Sequence, residues 1–403
     1  MNIKWTSTTI GDFCPFIYGK GLPADKRKPG DIPVVSSAGI TGTHDEFLVN
    51  KKGIVIGRKG TVGSLTYCDG PFWAIDTAFY IADEPKKRDL RYTYYLLKTL
   101  RLDSMNSDSA VPGLNRENAH SIEIKVPSLE IQNKIASYLS ALDDKIAVNL
   151  RINTTLNEIV HAFFQSWFID FDPVRAKLDG VNPYGLDDKT ALLFSESFQT
   201  TSVGHIPKNW TLGKVSDVTT INRDTINPGN FPLEEFDHYS LPSFDNQRTP
   251  KRELGSEIMS NKFVISPNSV LLSKLNPHIP RTWLPEFSPY RRSICSTEFI
   301  VAIAKPKYSR EYLYSLFTSS SFESLYGTLV TGTTGSHQRV SPDSFLEIKI
   351  VIPPVQLIEE FTKKIKPIFD CINCNISESQ TLSSLRDTLL PKVLSGELSV
   401  ENL

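Results

Sequence analysis

Two stretches of this chain repeat one another in order, and that repeat limits the possible folds more than any single motif. WTSTTIGDF at Trp5 is matched by WTLGKVSDV at Trp210, and GIVIGRKG at Gly53 by SVLLSKLN at Ser269. TAFYI at Thr77 finds TEFIV at Thr297, YTYYLL at Tyr92 finds YLYSLF at Tyr312, and Gly113 before LNR finds Gly335 before SHQR. IEIKVPSLEIQNKI at Ile122 finds IKIVIPPVQLIEEF at Ile348. The numbering offset grows from 205 at the Trp pair through 216 and 220 to 226 at Pro127 and Pro353. Colinear matches with small insertions between them are what a duplicated domain leaves.

Each copy runs into a long helical pattern. Across 127–167, apolar residues recur in steps of three and four at Ile135, Leu139, Leu142, Ile146, Leu156, Val160 and Phe163, with Asn149 and Asn153 on the same line. Such a narrow line is a seam for a partner helix rather than the broad face of a surface helix. The offset of 226 carries through: Leu142 falls on Ile368, Ile146 on Ile372, Asn149 on Asn375, Leu156 on Leu382 and Phe163 on Leu389. A polar residue on a seam lowers stability but fixes register, and Asn149 and Asn375 are the candidates for that role.

The fold class expected is α/β: two repeated globular domains with β-rich cores, separated by two long antiparallel helices that form an intramolecular coiled coil. Gly, Pro and short β-branched or aromatic runs place strands near 32–36, 53–56, 72–73, 78–81 and 121–126, with a short helix at 91–100. The boundaries expected are a first domain at 1–126, a spacer helix at 127–168, a connector at 169–204, a second domain at 205–352, and a second spacer helix with tail at 353–403. From Ile135 to Phe163 the seam is about 42 Å long at 1.5 Å per residue. Two DNA half-sites one turn apart lie about 34–36 Å from each other, so the length permits reading two separated sequences and equally suits any two-headed binder.

Composition narrows the class. Hydrophobic residues make up 40% of 403, ordinary for a globular chain, and no apolar run approaches a membrane span. No secretory signal is expected from MNIKWTSTTIGDF, and five scattered cysteines fit a reducing, cytoplasmic setting. The net charge of −1 hides a division. Residues 1–125 hold 17 Lys and Arg against 14 Asp and Glu, and 204–353 hold 16 against 14, whereas the helical stretches are acidic. Such a balance permits a DNA partner without demonstrating one.

Catalytic motifs are missing. The glycines and lysine of GIVIGRKGT do not have phosphate-loop spacing, and HExxH, GxSxG and nuclease-like carboxylate clusters do not occur. Asn182-Pro183-Tyr184 and Asn276-Pro277-His278 glance toward the Asn-Pro-Pro-aromatic loop of amino-methyltransferases, but lack its second proline. Seven histidines are dispersed, and Cys371 with Cys374 has no second ligand pair, so no metal site is expected.

The duplicated layout, GIVIGRKGTVG, FFQSWFIDFDPV, GSHQRVSPDSFLEIKIVIPP and the terminal LLPKVLSGEL resemble the specificity subunit of type I restriction-modification systems over essentially the whole chain. The resemblance implies a non-catalytic DNA-recognition subunit with two target recognition domains, each reading half of a split, asymmetric sequence while the helices set the gap. It implies two methyltransferase subunits that carry S-adenosylmethionine and methylate adenines, joined by restriction-translocase subunits using ATP and Mg. No cofactor is expected in this chain.

Base readout needs Arg or Lys toward guanine and Asn or Gln toward adenine, delivered from loops or helix ends. Arg58 and Lys59 are read as counterparts of Lys274 and its neighbours, and Asn115 and Arg116 as counterparts of Gln338 and Arg339. Ser36, Ser37, Gln247, Arg248, His278, Arg281 and His337 complete the DNA-contact candidates. Shared residues such as Lys59, Lys274, Arg116 and Arg339 are expected to hold phosphate or the fold, and His278, Gln247 and Gln338 to read bases. Against this stands the plain reading that Gly57, Gly60 and Gly63 make a turn whose basic neighbours are solvated. Phe163, Phe164 and Trp167 are expected to dock the methyltransferase subunits. Two readings stay open beside DNA recognition: a two-headed protein-binding scaffold, and an enzyme whose site is assembled from both repeats.

Overall fold

The computed structural model describes residues 5–105, 113–246, 248–331 and 338–399. The chain divides into two compact units. The first comprises residues 1–149 with 377–403, and the second residues 150–376. Each unit therefore holds one repeat, the near half of that repeat's own long helix and the far half of the other's.

In the first unit the opening strand, Thr6–Thr9, pairs antiparallel with Glu123–Val126, the strand that enters the long helix. Between them lie two sheets. A four-stranded antiparallel sheet runs in the order Ile17–Tyr18, Ala78–Ala82, Gly53–Gly57, Leu65–Cys68. A three-stranded sheet runs Gly39–His44, Ile32–Ser36, Trp73–Ala74, with its last pair parallel. The central strand Gly53–Gly57 is buried at every position, consistent with its unbroken apolar run. Helix Leu90–Thr99, capped by the Asp89 carboxylate on the Tyr92 N–H, buries Tyr92, Tyr95, Leu96 and Leu97 in this core.

The second unit repeats the plan. Thr211–Lys214 pairs with Lys349–Ile352, and a four-stranded sheet runs Thr219–Asn222, Phe299–Ala304, Ser269–Ser273, Thr282–Trp283. The other sheet has grown to five strands, in the order Thr225–Ile226, Lys262–Val264, Arg292–Cys295, Glu235–Tyr239, Lys251–Leu254, and keeps one parallel pair. A further helix, Ser320–Thr328, follows Arg310–Phe317.

The long helices are Leu129–Phe164 and Val355–Ser395. They pack antiparallel as a coiled coil: in the first unit Ile135 and Leu139 share a core with Leu390, Val393 and Leu394. In the second unit Val160 and Phe164 share one with Phe361, Ile365, Phe369 and Ile372. Polar partners mark the seam. Arg386 pairs with Asp143, which also accepts from the Tyr95 hydroxyl at 2.6 Å. Asn149 Nδ2 donates to Glu378 at 2.7 Å and to Ser379 at 3.2 Å. Buried Asn153 donates to the Ile372 carbonyl at 3.3 Å and accepts from Asn375 Nδ2 at 2.8 Å. Each asparagine thus has a partner on the facing helix, as a register mark requires. Among the described residues no helix is long and apolar enough to cross a membrane.

The expectation that Phe163, Phe164 and Trp167 form a docking surface is corrected here. Phe164 and Trp167 are 2% exposed, and Phe163 packs partly buried against the same core. Trp167 lies 5.2 Å from the Phe194 ring and 5.8 Å from Phe361. A π-helical turn at Gln165–Ile169 ends the helix and Phe171 follows in the left-handed region at φ 57°, an unfavourable backbone for an aromatic residue. Its ring is buried against Trp210 at 5.3 Å, which fixes that geometry. The aromatic run therefore closes the core of the second unit. Trp167→Ala is expected to lower the stability of the isolated chain by about 3–5 kcal/mol; urea denaturation checks this, since a docking residue would leave the isolated chain unchanged.

Candidate nucleic-acid interface

In the first unit the chain leaves the central strand at Gly57 and turns back at Ser64. A Cβ at Gly57 would lie 2.0 Å from the Thr61 carbonyl oxygen, and Gly60 and Gly63 have φ of 78° and 75°, so the turn needs its glycines. The turn reading is thus correct as far as the glycines go. Of their basic neighbours Lys59 is exposed, whereas Arg58 is not simply solvated. Arg58 accepts the Leu114 N–H on its carbonyl at 2.9 Å, and its guanidinium reaches the Asp76 carbonyl at 3.2 Å. That guanidinium lies 5.0 Å from the centre of the Tyr18 ring, and the Arg116 guanidinium lies 4.9 Å from the same ring. Cations within about 6 Å of an aromatic face are attracted to it, so Tyr18 steadies both arginines. With Lys59, Asn115 and Glu117 they line an open cleft of about 390 Å³.

Arg116 opens the short helix Arg116–His120, and Asn115 caps it by accepting the N–H groups of Glu117 and Asn118. At the other end His120 Nε2 accepts the Phe16 N–H at 2.8 Å, tying this helix to the strand that carries Tyr18. Burial, with Arg116 nearby, holds the His120 pKa below its ordinary value, so the imidazole accepts in its neutral form.

In the second unit Lys274 stands where the chain leaves the central strand Ser269–Ser273. It accepts the Val340 N–H at 3.0 Å, as Arg58 accepts that of Leu114, and donates its own N–H to Glu298 as Arg58 does to Thr77. Burial lowers the Lys274 pKa. Residues Lys59 and Gly113 face one another across a β-bridge, as do Leu275 and Arg339. These bonds correct the repeat alignment. Arg58, not Lys59, is the counterpart of Lys274. Gly113, not Arg116, is the counterpart of Arg339, and Asn115 answers to Ser341, which also caps a short helix. The offset at this loop is therefore already the 226 seen at the prolines, rather than the 222 that the Gly113–Gly335 match implies.

The remaining candidates fall in different surroundings. Exposed His278 sits in the hairpin between Ser269–Ser273 and Thr282–Trp283, just after Asn276, which adopts φ 50° and donates its N–H to the Gln338 carbonyl. Arg281 leaves that hairpin to form a two-bond fork with Asp245 at 2.7 and 2.8 Å, and little of its side chain is exposed. Arg248 is exposed, 4.9 Å from the Phe244 ring. Arg339, half exposed, forms a fork of two 3.0 Å bonds with Glu298. Ser36 and Ser37 are a correction: both are buried, with the Ser36 hydroxyl bonded to Gly39 and Ala38 and the Ser37 carbonyl accepting from Ser64. Gln247 and His337 lie outside the described residues. Tyr18, Glu298 and Asp245 were not singled out from sequence. The first occurs in an unremarkable apolar pair, and the acids acquire meaning only from the arginines they hold.

Residues 2–158 match the family model of the type I restriction modification DNA specificity domain. The chain is 24% identical over 342 residues to the type I restriction enzyme HindI specificity subunit of Haemophilus influenzae, covering 71% of each. It is 26% identical over 331 residues to the MjaIX specificity subunit of Methanocaldococcus jannaschii, covering 77% of this chain and 70% of that one. The first repeat thus carries a type I DNA specificity domain, and the chain as a whole is similar to type I specificity subunits. A crystal structure of the type I S subunit from M. genitalium shares the fold, with a TM-score of 0.59 at 16% identity over 97% of this chain and 96% of that one. Specificity subunits are the non-catalytic, DNA-recognising component of type I systems and work in a complex with other subunits.

Phosphate binding carries no sequence information, so the cations common to both units, Arg58 and Lys274, are the candidates for it. Arg58→Ala and Lys274→Ala are each expected to reduce the slope of log K against log salt by about 0.9, with affinity falling alike on all sequences; a salt titration of the assembled complex measures it. His120→Gln should keep an acceptor for Phe16 without titrating. Because the folded His120 pKa is lowered, wild-type stability is lost as pH falls from about 6.5 toward that lowered value. The melting temperature of His120→Gln is expected to fall less than that of the wild type between pH 7 and pH 5.

Proposed function

We propose that this chain is the DNA sequence-recognition subunit of a type I restriction-modification complex in which each unit reads one half of a bipartite, asymmetric target. One observation carries the reading. The same backbone construction sets a cation at the exit of the central strand in both units, Arg58 and Lys274, while the side chains around it differ. By strand register Ile17 opposes Tyr80 as Asn222 opposes Val301, so Tyr18 answers to Arg223. Where the first unit has Tyr18, Arg116 and Gly113, the second has Arg223, Pro342 and Arg339. A shared scaffold with unlike rims is what reading two unlike sequences requires.

The two helices act as the spacer that sets the unread gap. Two methyltransferase subunits, carrying S-adenosylmethionine, methylate adenines at the sites the chain selects, and restriction subunits using ATP and Mg join them. The chain supplies recognition and holds no cofactor of its own. Its near-neutral charge fits a subunit whose partners contribute part of the phosphate-binding surface. The complex works in the cytoplasm, where its DNA is.

Co-expression of the chain with its methyltransferase partner, followed by mapping of methylated adenines, is expected to give two short sequences separated by an unread gap. A single continuous target would overturn the bipartite reading. Matching insertions of about one helical turn near Asn149 and near Asn375 are expected to lengthen the gap and leave both half-sites intact. Altered half-site bases with an unaltered gap would contradict the spacer role.

A further inference from the structure

Arg339 is a cation of the second unit whose place is taken by a glycine in the first. The β-bridge from Leu275 to Arg339 repeats that from Lys59 to Gly113, and the N–H of the following residue, Val340 or Leu114, bonds to Lys274 or Arg58. Its acid partner is equally particular to this unit. The carbonyl of Glu298 accepts the Lys274 N–H where that of Thr77 accepts the Arg58 N–H, so Thr77 occupies the matching position. A charge pair has therefore been placed on two backbone positions that need neither charge to fold.

The geometry of the pair suits recognition better than stability. Arg339 gives Nε–H and one N–H of Nη2 to the two Glu298 oxygens, both at 3.0 Å, with half its side chain exposed. So exposed an ion pair adds little to stability. What a two-bond fork does is fix the plane of the guanidinium. The end-on edge of such a guanidinium, made by Nη1 and Nη2, has the spacing of the O6 and N7 acceptors of guanine. Glu298 is itself tethered, since its backbone carbonyl holds Lys274, so the arginine is aimed from the rigid exit of the central strand.

We infer that Arg339 is a base-reading residue of the second unit, directed to a guanine, and that Glu298 is the positioning residue that orients it. This rests on the bipartite reading above. It reverses the expectation that Arg339 holds phosphate, which followed from pairing it with Arg116. The phosphate contact is instead Lys274, which recurs in the first unit as Arg58, and what differs beside it carries the sequence information.

The test is a methylation map of the assembled complex with wild-type chain, with Arg339→Ala and with isosteric Glu298→Gln. In Arg339→Ala one guanine position of a single half-site is expected to become degenerate, with preference for guanine there falling about tenfold or more. The other half-site and the gap stay as in the wild type. Glu298→Gln, which preserves shape but loses the fork's charge, relaxes the same position by a smaller factor, and the double variant relaxes it no further than Arg339→Ala. A residue with a merely structural role would lower methylation at all positions alike. If Arg339→Ala keeps a sharp target and only weakens binding, or if Glu298→Gln leaves every position unchanged, the inference is wrong. Should Arg339→Ala abolish methylation, the Glu298→Gln map decides by the same criterion. A wild-type map without two half-sites would instead refute the bipartite reading itself.

Discussion

The antiparallel seam between the long helices is the constraint on which the rest of the structure depends. Neither recognition unit owns a whole helix. The first is completed by Leu390, Val393 and Leu394 from the far end of the chain, and the second by Val160, Phe164, Trp167 and Phe168 from the end of the helix that begins in the first. Core formation in either unit thus requires the helices to meet in one register. A seam of leucine and isoleucine alone would tolerate slippage by a heptad. Asn149, Asn153 and Asn375 remove that freedom, because a slipped pairing would strand their amides away from Glu378, Ser379 and the Ile372 carbonyl. Stability is given up for a defined length, a sensible exchange if the helices measure distance along DNA.

Much of this was legible in the sequence because duplication and heptad spacing are both patterns of position. The repeat, the two helices, the asparagines on the seam and several strand positions of the first half follow from colinear matches and periodicity. What could not be read was which partner each polar group finds. The aromatic end of the first helix, Phe163 to Trp167, has the composition of an exposed docking patch and of a core equally. Its burial depends on Phe194 and Phe361, which lie 27 and 194 residues beyond Trp167. Likewise Ser36 and Ser37 are small polar residues at the end of a strand, and only the turn at Ser64 and the hairpin at Gly39 show their polar groups to be consumed by the fold.

The misalignment of the two loops has a similar origin. Gly113 and Gly335 invite pairing because glycines mark turns, but backbone bonds make Gly113 the equivalent of Arg339. In the first unit the loop offers a glycine and a flanking arginine steadied by Tyr18. In the second it offers an arginine steadied by an acid. A sequence comparison scores residue likeness and so aligned arginine with arginine. The fold aligns positions by their hydrogen bonds, and at this place the two criteria disagree.

That disagreement bears on how a duplicated recognition protein acquires two specificities. If equivalent cations did the reading, the half-sites would resemble one another and the second domain would add affinity without new information. Here the conserved construction is confined to backbone bonds and to one cation per unit. The variable part lies one residue away, on the loop just before the final short helix and on the strand edge facing it. Those positions are supported by the central strand yet contribute little to either core, since Tyr18, Arg116, Arg223 and Arg339 are all at least partly exposed. Side chains there can change at small cost in stability. Nor would such changes disturb Arg58, Lys274 or the helical seam, so the rims can vary while the shared construction stays fixed.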